Sequence, residues 1–189
     1  MKNIILLLGP VRTGKTTLGG LLSEHLGLPQ VSLDQIRWRY YSEIGYDVGL
    51  AQTIRQRGGF LALMLYWQLF DAYSVERVLA EHSNCVIDFG AGVGVYESQE
   101  QFARVKRTLA AYRNVFLILP SADRRESLQI LRERDAEPPP DLNFDFNAHF
   151  LAHHGYYDLA KFTIYTKGRT PAESCAEIVA LAGGQASDA

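Results

Sequence analysis

A short loop with two glycines and a lysine, set between an apolar run and a helix-forming segment, constrains this chain more than any other feature. Residues 9–16 read G-P-V-R-T-G-K-T and match in full the pattern G-x-x-x-x-G-K-[ST]. Residues 4–8, I-I-L-L-L, have the composition of a buried parallel strand, and the leucines in 17–26 recur at helical spacing. A strand, this loop and a helix in that order predict an α/β protein that binds the phosphates of a nucleotide.

The residues of this loop are suited to holding phosphate. Gly9 and Gly14 allow backbone angles that turn successive N–H groups into one hollow, and the start of the following helix adds the positive end of its dipole. Lys15 brings a positive charge to the β and γ phosphates, and the Thr16 hydroxyl is the expected direct ligand of Mg²⁺. The Arg12 side chain either contacts a phosphate or faces solvent. The predicted nucleotide-binding residues of the loop are Gly9, Arg12, Thr13, Gly14, Lys15, Thr16 and Thr17.

The bulk properties predict one domain that spans residues 1–189. A formal net charge of −2 gives no electrostatic reason to expect nucleic acid or an anionic membrane as a partner. Cys85 and Cys175 have no metal-ligand spacing, so buried thiols in a reducing cytoplasm are expected. The N-terminal apolar run is too short for a signal peptide or a membrane span. We expect a monomer or a weak dimer, and no heptad repeat or long exposed edge in the sequence decides between them.

Strand and helix patterns alternate along the chain, which predicts a doubly wound parallel sheet with ligands at the carboxyl ends of its strands. After the first strand, loop and helix, further strands are predicted at 30–33, 85–87, 115–119 and 162–165. Further helices are predicted at 34–44, 60–81, 99–112, an arginine-rich segment that ends near 134, 148–159 and 171–181.

Glycine or proline interrupts the pattern of secondary structure in two segments. The helix predicted at 60–81 follows a break at Gly58-Gly59. Its apolar stripe is expected to comprise Leu61, Leu65, Leu69, Tyr73, Val78 and Leu79. Residues 135–147 contain three consecutive prolines, so they predict a loop or a lid rather than a helix or a central strand.

The order of elements and the two ends of the chain resemble the shikimate kinase group of small P-loop kinases, which have the nucleoside-monophosphate-kinase-like fold. The start carries G-P-x-x-x-G-K-T-T and E-H-L-G-L-P before a strand that leads to an Asp. The C-terminal part of the chain carries Y-Y-D-L-A, a strand, and T-K-G-R-T-P before a helix. The resemblance implies a three-layer P-loop fold with a five-stranded parallel sheet in the order 2-3-1-4-5. It also implies a substrate-binding helical segment at about 34–81 and a short lid at about 132–147.

The same resemblance implies a reaction, the transfer of the γ-phosphate of ATP, with Mg²⁺, to a hydroxyl of a small molecule bound beside Asp34. Asp34 can orient or deprotonate that hydroxyl, and its alternative role is to cap the following helix. Asp88, at a strand end, can hold the metal through water as a Walker-B carboxylate does, or it can form a turn. The turn that follows, Gly90-Ala91-Gly92, corresponds to the glycines that hold the acceptor in the family.

Arginines near the predicted lid are candidates for contacts with the nucleotide and the transition state. Arg134 is the predicted transition-state cation and Arg132 is predicted to pack on adenine, although both can also belong to a solvated helix face. In the family the adenine lies between an arginine of the lid region and a proline before the last helix. Pro171 matches that proline.

Several positions depart from the family pattern, mainly where the family binds the carboxylate of its acceptor. The second strand ends in Ser32-Leu33-Asp34 in place of D-x-D, and Trp67-Gln68 stands where the family has Phe-Arg. Residues 148–160 contain no arginine, and the lid has Glu137-Pro138 in place of Arg-Pro. We therefore predict a different acceptor that lacks this carboxylate, unless Arg37, Arg39, Arg55 or Arg57 substitutes. The predicted acceptor-binding residues are Asp34, Arg57, Gln68, Gly90, Ala91 and Gly92.

Two other classes of function stay open. In a nucleoside or nucleotide kinase, aromatic residues near Trp38 and Trp67 would stack on a base. In a regulatory P-loop ATPase, no small acceptor would be bound. A zinc site is a further alternative, because His149 and His153 lie four residues apart with His154 beside them, although such residues more often form an exposed helix surface.

Overall fold

A parallel sheet forms the centre of the protein. The computed structural model describes residues 4–134 and 144–184, and within these ranges a five-stranded parallel sheet has the strand order β2-β3-β1-β4-β5. The strands are β1 Ile4–Leu8, β2 Gln30–Ser32, β3 Cys85–Asp88, β4 Val115–Leu119 and β5 Phe162–Tyr165. The predicted order 2-3-1-4-5 is confirmed.

Helices follow each strand, and polar side chains fix several of their starts. The side chains of Asp47, Ser98 and Asp145 each accept the backbone N–H three residues on, at the starts of three helices. The described helices are α1 Lys15–Leu26, α2 Leu33–Glu43, α3 Val48–Glu81, α4 Gln99–Ala110, α5 Arg124–Arg134, α6 Phe146–Ala152, α7 Gly155–Leu159 and α8 Pro171–Gly184. A 3-10 turn, Ala91–Gly94, follows β3.

The side chains of β1 alternate between two apolar layers, one on each face of the sheet. Ile4, Leu6 and Leu8 pack in the layer formed with α3 and α4, whereas Ile5 and Leu7 pack with α1 and α8. A strand that is buried on both faces needs apolar residues at every position, which explains the continuous run in its sequence. The result is the predicted three-layer arrangement.

The long helix α3 begins earlier than predicted and bends at a glycine. It spans Val48–Glu81 rather than 60–81, and it kinks at Gly59, where φ is 71° and ψ is −168°. A residue with a Cβ would be strained at this positive φ, whereas glycine accepts it readily. The glycine pair therefore joins two helical segments instead of preceding the first one.

The predicted apolar stripe of α3 was wrong in its first part. Val78 and Leu79 are buried as expected, but three leucines are exposed by 41 to 46%: Leu61, Leu65 and Leu69. At this level the buried face of the helix includes Gln68 and Asp71. Because polar residues occupy part of the inner face, hydrophobicity alone does not mark it.

The helix predicted at 148–159 is divided into α6 and α7. The Nδ1 atom of His153 accepts the backbone N–H of Gly155 at 3.0 Å, and the backbone of His153 is extended. A local side-chain acceptor of this kind competes with the next helical hydrogen bond. The chain therefore turns between the two helices. His149 lies in α6, and His153 and His154 lie at the turn.

The predicted lid is described only at its two ends. Residues 135–143, which include the three prolines and Glu137-Pro138, lie outside the described residues, as do 1–3 and 185–189. Arg132 and Arg134 lie in α5 before this gap, and Phe144 follows it. The lid at about 132–147 and the substrate-binding segment at about 34–81 stay predictions.

Both cysteines are buried thiols, as the sequence predicted. Burial raises the pKa of the Cys175 thiol. Among the helices in the described ranges, none combines the length and the apolar character needed to cross a lipid bilayer.

Replacing Gly94 by alanine should destabilise the protein. A Cβ at this position would overlap the ring of Tyr156, which is buried. We expect the free energy of unfolding to fall by about 1–3 kcal/mol, the usual cost of overpacking, as measured by urea denaturation. Gly183→Ala is the matched control, because a Cβ there meets nothing within 4 Å. Equal stability of the two variants would contradict the expected packing around Gly94.

Candidate active site

The loop between β1 and α1 needs its glycines for two different reasons. Gly14 precedes α1 with φ of 93°, and Arg12 also has a positive φ, 63°. Gly9 has φ of 146°, and a Cβ on it would lie 2.5 Å from the carbonyl oxygen of Ile118 in β4. The loop is therefore tightly turned and pressed against the end of the neighbouring strand. Its backbone leads directly into the N-terminus of α1.

The Lys15 side chain is folded across this loop. Its Nζ donates to the carbonyl oxygens of Gly9 and Pro10, both at 2.8 Å, and its exposed fraction is only 9%. Burial lowers the pKa of Lys15 from 10.5 to about 8, and the nearby negative charges of Asp34 and Asp88 oppose this shift. The two predicted carboxylates and the predicted lysine therefore share one electrostatic environment.

Asp88 is held at the end of β3 by two hydrogen bonds from β2. Its Oδ2 accepts the amide of Gln30 at 2.5 Å and its Oδ1 accepts the hydroxyl of Ser32 at 2.8 Å. The same Gln30 amide donates to the carbonyl oxygen of Thr16, 3.1 Å away at the start of α1. Gly19 leaves room for this amide, because a Cβ there would lie 2.5 Å from Gln30 Nε2. The buried Asp88 carboxylate is thus joined to the phosphate-binding loop rather than to its own turn.

Gln30 and Ser32 did not appear among the predicted site residues. A signal for Ser32 existed, because it occupies the position of the missing carboxylate in D-x-D. Ser32 and Asp88 are register partners in the parallel pair of β2 and β3. A carboxylate absent from one strand is therefore present at the adjacent position of the next strand.

Asp34 lies in the first turn of α2 and faces the glycine turn after β3. Ser32 rather than Asp34 is the N-cap residue of α2, so the alternative role of Asp34 as the cap is wrong. The Asp34 carboxylate occupies the space that a side chain on Gly90 would need. It is 56% exposed and lies 3.5 Å from the guanidinium of Arg37.

Asp71 is a second carboxylate at this site, and sequence reasoning missed it. It is 7% exposed in α3 and accepts the hydroxyl of Tyr41 at 2.5 Å. Arg37 lies 3.9 Å away, between Asp71 and Asp34. Burial raises the pKa of Asp71, and the charge of Arg37 opposes that rise. The available signal was an acidic residue in the segment 60–75, which contains no other charged residue.

Gln68 occupies a buried position in α3 where the family resemblance led us to expect arginine. Its carbonyl oxygen accepts the backbone N–H groups of Glu97 and Ser98, at 3.1 and 3.0 Å. Gln68 therefore holds the segment after the 3-10 turn, and its side chain also lines the cavity described below. Ala91 and Gly92 of the glycine turn line the same cavity.

The arginines considered for the site lie in the loop, in α5, in α2 and in α3. Arg134 donates to the carbonyl oxygen of Arg12 at 3.1 Å, which connects α5 to the loop. Arg132 donates through Nε and Nη2 to one carboxylate oxygen of Asp145, at 2.9 and 2.6 Å. Arg57 is exposed and is not among the residues that line the cavity, whereas Arg37 is.

The remaining predicted residues lie at more exposed positions. Thr16 and Thr17 are exposed in the first turn of α1, and Pro171 is exposed as the first residue of α8. Pro171 is not part of the cavity lining. Across residues 4–134 and 144–184, no group of three or more His, Cys, Asp or Glu side chains is arranged to hold a metal ion. The three histidines of the α6–α7 turn therefore do not form a zinc site among the described residues.

A cavity of about 840 Å³ connects the loop with Asp34 and the inner face of α3. Its charged lining residues lie in the loop, in α2, α3 and α5 and just before α6, and its apolar residues come mainly from α3, from α6 and from Phe144 before α6. It is lined by Val11, Arg12, Asp34, Arg37, Phe60, Met64, Trp67, Gln68, Asp71, Ala91, Gly92, Val95, Arg132, Phe144, Asp145, Phe146, Asn147 and Phe150.

The burial of Lys15 predicts a pH dependence of stability. Below pH 8 the folded protein holds a charged, buried ammonium, whereas above pH 10.5 Lys15 is neutral in both the folded and the unfolded state. The wild type should therefore gain up to about 3 kcal/mol of stability relative to Lys15→Met as pH rises from 7 to 11. Urea denaturation of both proteins across this range measures the difference. Lys161→Met, at an exposed position, is the control, and a pH-independent difference for Lys15→Met would refute the expectation.

Comparison with known proteins places these features in context. No protein-family model matches the chain. The shikimate kinase of Streptomyces coelicolor is 28% identical over an alignment that covers 90% of each chain.

Solved structures share the fold at lower identity. A shikimate kinase from Acinetobacter baumannii, solved in complex with shikimate, has a TM-score of 0.64 and 19% identity, over 96% of this chain and 93% of that one. A gluconokinase from Sinorhizobium meliloti has a TM-score of 0.52 and 13% identity, over 97% and 93% of the two chains. The sequence relative is a kinase, which supports a kinase reading of this chain. The sequence relative, the strand order and the solved structures confirm the resemblance to the shikimate kinase group that the sequence shows, and the structures show the shared fold.

Proposed function

We propose that the protein transfers the γ-phosphate of ATP to a hydroxyl of a small molecule that lacks the acceptor carboxylate of shikimate. The observation that carries this proposal is one cavity lined both by the loop, at Val11 and Arg12, and by Asp34 at the start of α2. A nucleotide on the loop and an acceptor beside Asp34 can therefore meet in one space. This arrangement suits direct transfer between two bound substrates.

The nucleotide phosphates would be bound by the loop N–H groups, the N-terminus of α1 and Lys15. The Lys15 ammonium now contacts two loop carbonyl oxygens, and phosphate oxygens would be stronger partners for it. Because Lys15 is buried, its charge acts on the transferred group with little screening by water. Thr13, Gly14, Thr16 and Thr17 complete the proposed phosphate site.

Arg132 and Arg134 are proposed to act from the nucleotide side. The contact of Arg134 with the Arg12 carbonyl oxygen keeps its guanidinium next to the loop, where a transition-state cation is useful. Arg132 and Pro171 keep their predicted roles beside the adenine ring, and Pro171 would act from outside the described cavity.

The residues near the loop fit a magnesium ion. Asp88 offers a buried carboxylate that already has two hydrogen-bond donors, and Gln30 joins it to the backbone of Thr16. Mg²⁺ usually takes one or two protein oxygen ligands and keeps several waters, so a larger acidic cluster is not needed. The Thr16 hydroxyl and, through water, Asp88 would hold the ion. When bound, Mg²⁺ neutralises charge on the β and γ phosphates.

Asp34 is the proposed residue that orients the acceptor hydroxyl and accepts its proton. Its carboxylate is partly exposed, lines the cavity and lies close enough to Lys15 to affect its pKa. A base in this position lies between the acceptor and the phosphate-binding loop. Gly90 leaves the space that this carboxylate occupies.

Replacing Asp34 by asparagine should reduce turnover with little change in ATP binding. Asparagine keeps the size of the side chain but does not accept the hydroxyl proton, so kcat should fall by about a hundredfold or more. ADP release would be measured with shikimate, gluconate, uridine and methyl and phenyl glucosides as acceptors. Lys15→Ala serves as the blank, and Asp158→Asn, outside the cavity lining, is the matched control. Unchanged turnover would remove Asp34 from the mechanism.

Replacing Asp88 by asparagine should weaken the response to Mg²⁺. Loss of the carboxylate charge should raise the Mg²⁺ concentration for half-maximal activity by about tenfold or more. Binding of ATP without the metal should change much less, which separates this role from a general loss of structure. Ser32→Ala is the control, because it removes one donor to Asp88 and leaves the carboxylate. Similar Mg²⁺ curves for Asp88→Asn and the wild type would refute the assignment.

Two alternative functions can be tested separately. A nucleoside or nucleotide kinase is favoured by the aromatic residues of the cavity, especially Phe60 and Trp67. A regulatory P-loop ATPase would hydrolyse ATP at a rate that no acceptor changes. The acceptor panel above distinguishes these functions.

A further inference from the structure

The cavity has an aromatic wall that begins in α3 and continues across to α6. Trp67 and Phe60 have ring centroids 5.7 Å apart, and Phe60 and Phe146 have centroids 4.6 Å apart. Phe144 and Phe150 extend the wall from Phe146, at 5.3 and 5.9 Å. All five rings line the cavity, so the wall is a surface that a bound molecule meets.

The wall offers apolar ring surface where a polyol would need hydrogen-bond partners. The indole N–H of Trp67 already donates to the hydroxyl of Tyr46 at 2.9 Å. A sugar acid or a sugar alcohol presents hydroxyl groups on most of its surface, and these groups lose water when they are buried against aromatic rings. A planar or apolar ring, by contrast, gains contact area and favourable ring geometry there.

The charges near Asp34 also disfavour an anionic acceptor. Arg37 lies between Asp34 and Asp71, and its guanidinium lies over the rings of Trp38 and Trp67 at 4.6 and 5.1 Å. Arg132 is paired with Asp145. Residues 135–143 contain no lysine or arginine, so they cannot add a cation. A carboxylate on the acceptor would therefore meet Asp34 and Asp71, and Arg37, the arginine between them, already lies near both.

We infer that the acceptor is an uncharged alcohol that carries an aromatic ring, with its hydroxyl at Asp34 and its ring against Phe60, Trp67 and Phe146. Nucleosides belong to this chemical class, as do aryl glycosides. The inference rests on the proposed function and specifies the substrate class of the same site. Gly59 is part of this geometry, because the kink in α3 immediately precedes Phe60.

The test compares pairs of acceptors that differ in one property. Phenyl and methyl β-glucoside differ in the ring, uridine and ribose differ in the base, and methyl shikimate and shikimate differ in charge. Phosphorylated product would be measured by mass spectrometry with ATP and Mg²⁺, with Lys15→Ala as the blank. We expect kcat/KM for the ring-bearing and uncharged members to exceed that of their partners by about tenfold or more. Equal values, or a preference for ribose or methyl glucoside over its ring-bearing partner, would overturn the inference and leave the proposed reaction standing. A preference for shikimate over methyl shikimate would overturn both the inference and the proposal that the acceptor lacks this carboxylate.

Variants of the wall supply a second measurement. Phe60→Leu keeps an apolar side chain and removes the ring, so KM for phenyl glucoside should rise by about tenfold while KM for ATP stays unchanged. Leu65→Ala is the matched control, because Leu65 is exposed on the same helix and does not line the cavity. Equal effects of the two substitutions would mean that the rings serve packing only, and would overturn the inference.

Binding can be followed without turnover. The chain has two tryptophans, Trp38 and Trp67, whose rings lie 5.9 Å apart at this site, so tryptophan fluorescence reports on the wall directly. Phenyl glucoside should change the emission at concentrations at which methyl glucoside does not. Such selective binding without any phosphorylation would count against the proposed reaction and for the aromatic acceptor site. Lack of any selective response would count against the site itself.

Discussion

The hydrogen bonds of a buried lysine to two carbonyl oxygens of its own loop organise the site. They require a loop that doubles back on itself, and Gly9 meets this requirement because it tolerates both the backbone angle and the contact with β4. The buried ammonium needs negative charge nearby, and Asp34 in the first turn of α2 and Asp88 at the end of β3 provide it. The parallel order of the sheet brings these groups to one edge, so the electrostatics of the site follow from its topology.

The two sides of the cavity differ in how closely they follow the family pattern. On the side of the loop, the loop, the start of α1 and Asp88 form a connected hydrogen-bonded network. On the side of α3, where we propose that the acceptor binds, Gln68 stands where the family has an arginine, and it binds backbone instead. Arg37 is balanced there by two carboxylates, and aromatic rings cover much of the wall. These differences favour a common phosphate chemistry with a separate choice of acceptor.

Local patterns predicted most of the fold, because continuous apolar runs mark strands that are buried on both faces. The same patterns failed in α3, where Gln68 and Asp71 lie on the buried face and leucines lie outside. They also placed the start of α3 too late, since a glycine with positive φ can kink a helix without ending it. In the site, the loop residues could be read along the chain. Gln30 could not, because its role depends on a contact with Asp88, which is distant in sequence. Asp71 had a signal that was overlooked, and Arg37 was one of four candidate arginines that only the contacts with Asp34 and Asp71 single out.

The pairing of Ser32 with Asp88 has a consequence for how relatives of this chain can be recognised. In this chain the carboxylate lies on β3, next to the position on β2 at which the family pattern has one. During divergence, an acidic residue gained on β3 would relax the requirement for one on β2 without an intermediate that lacks the charge. Chains related in this way lose a motif written along the sequence while they keep the same charge in space. A search pattern written across paired strands would group them together, where one written along a single strand separates them.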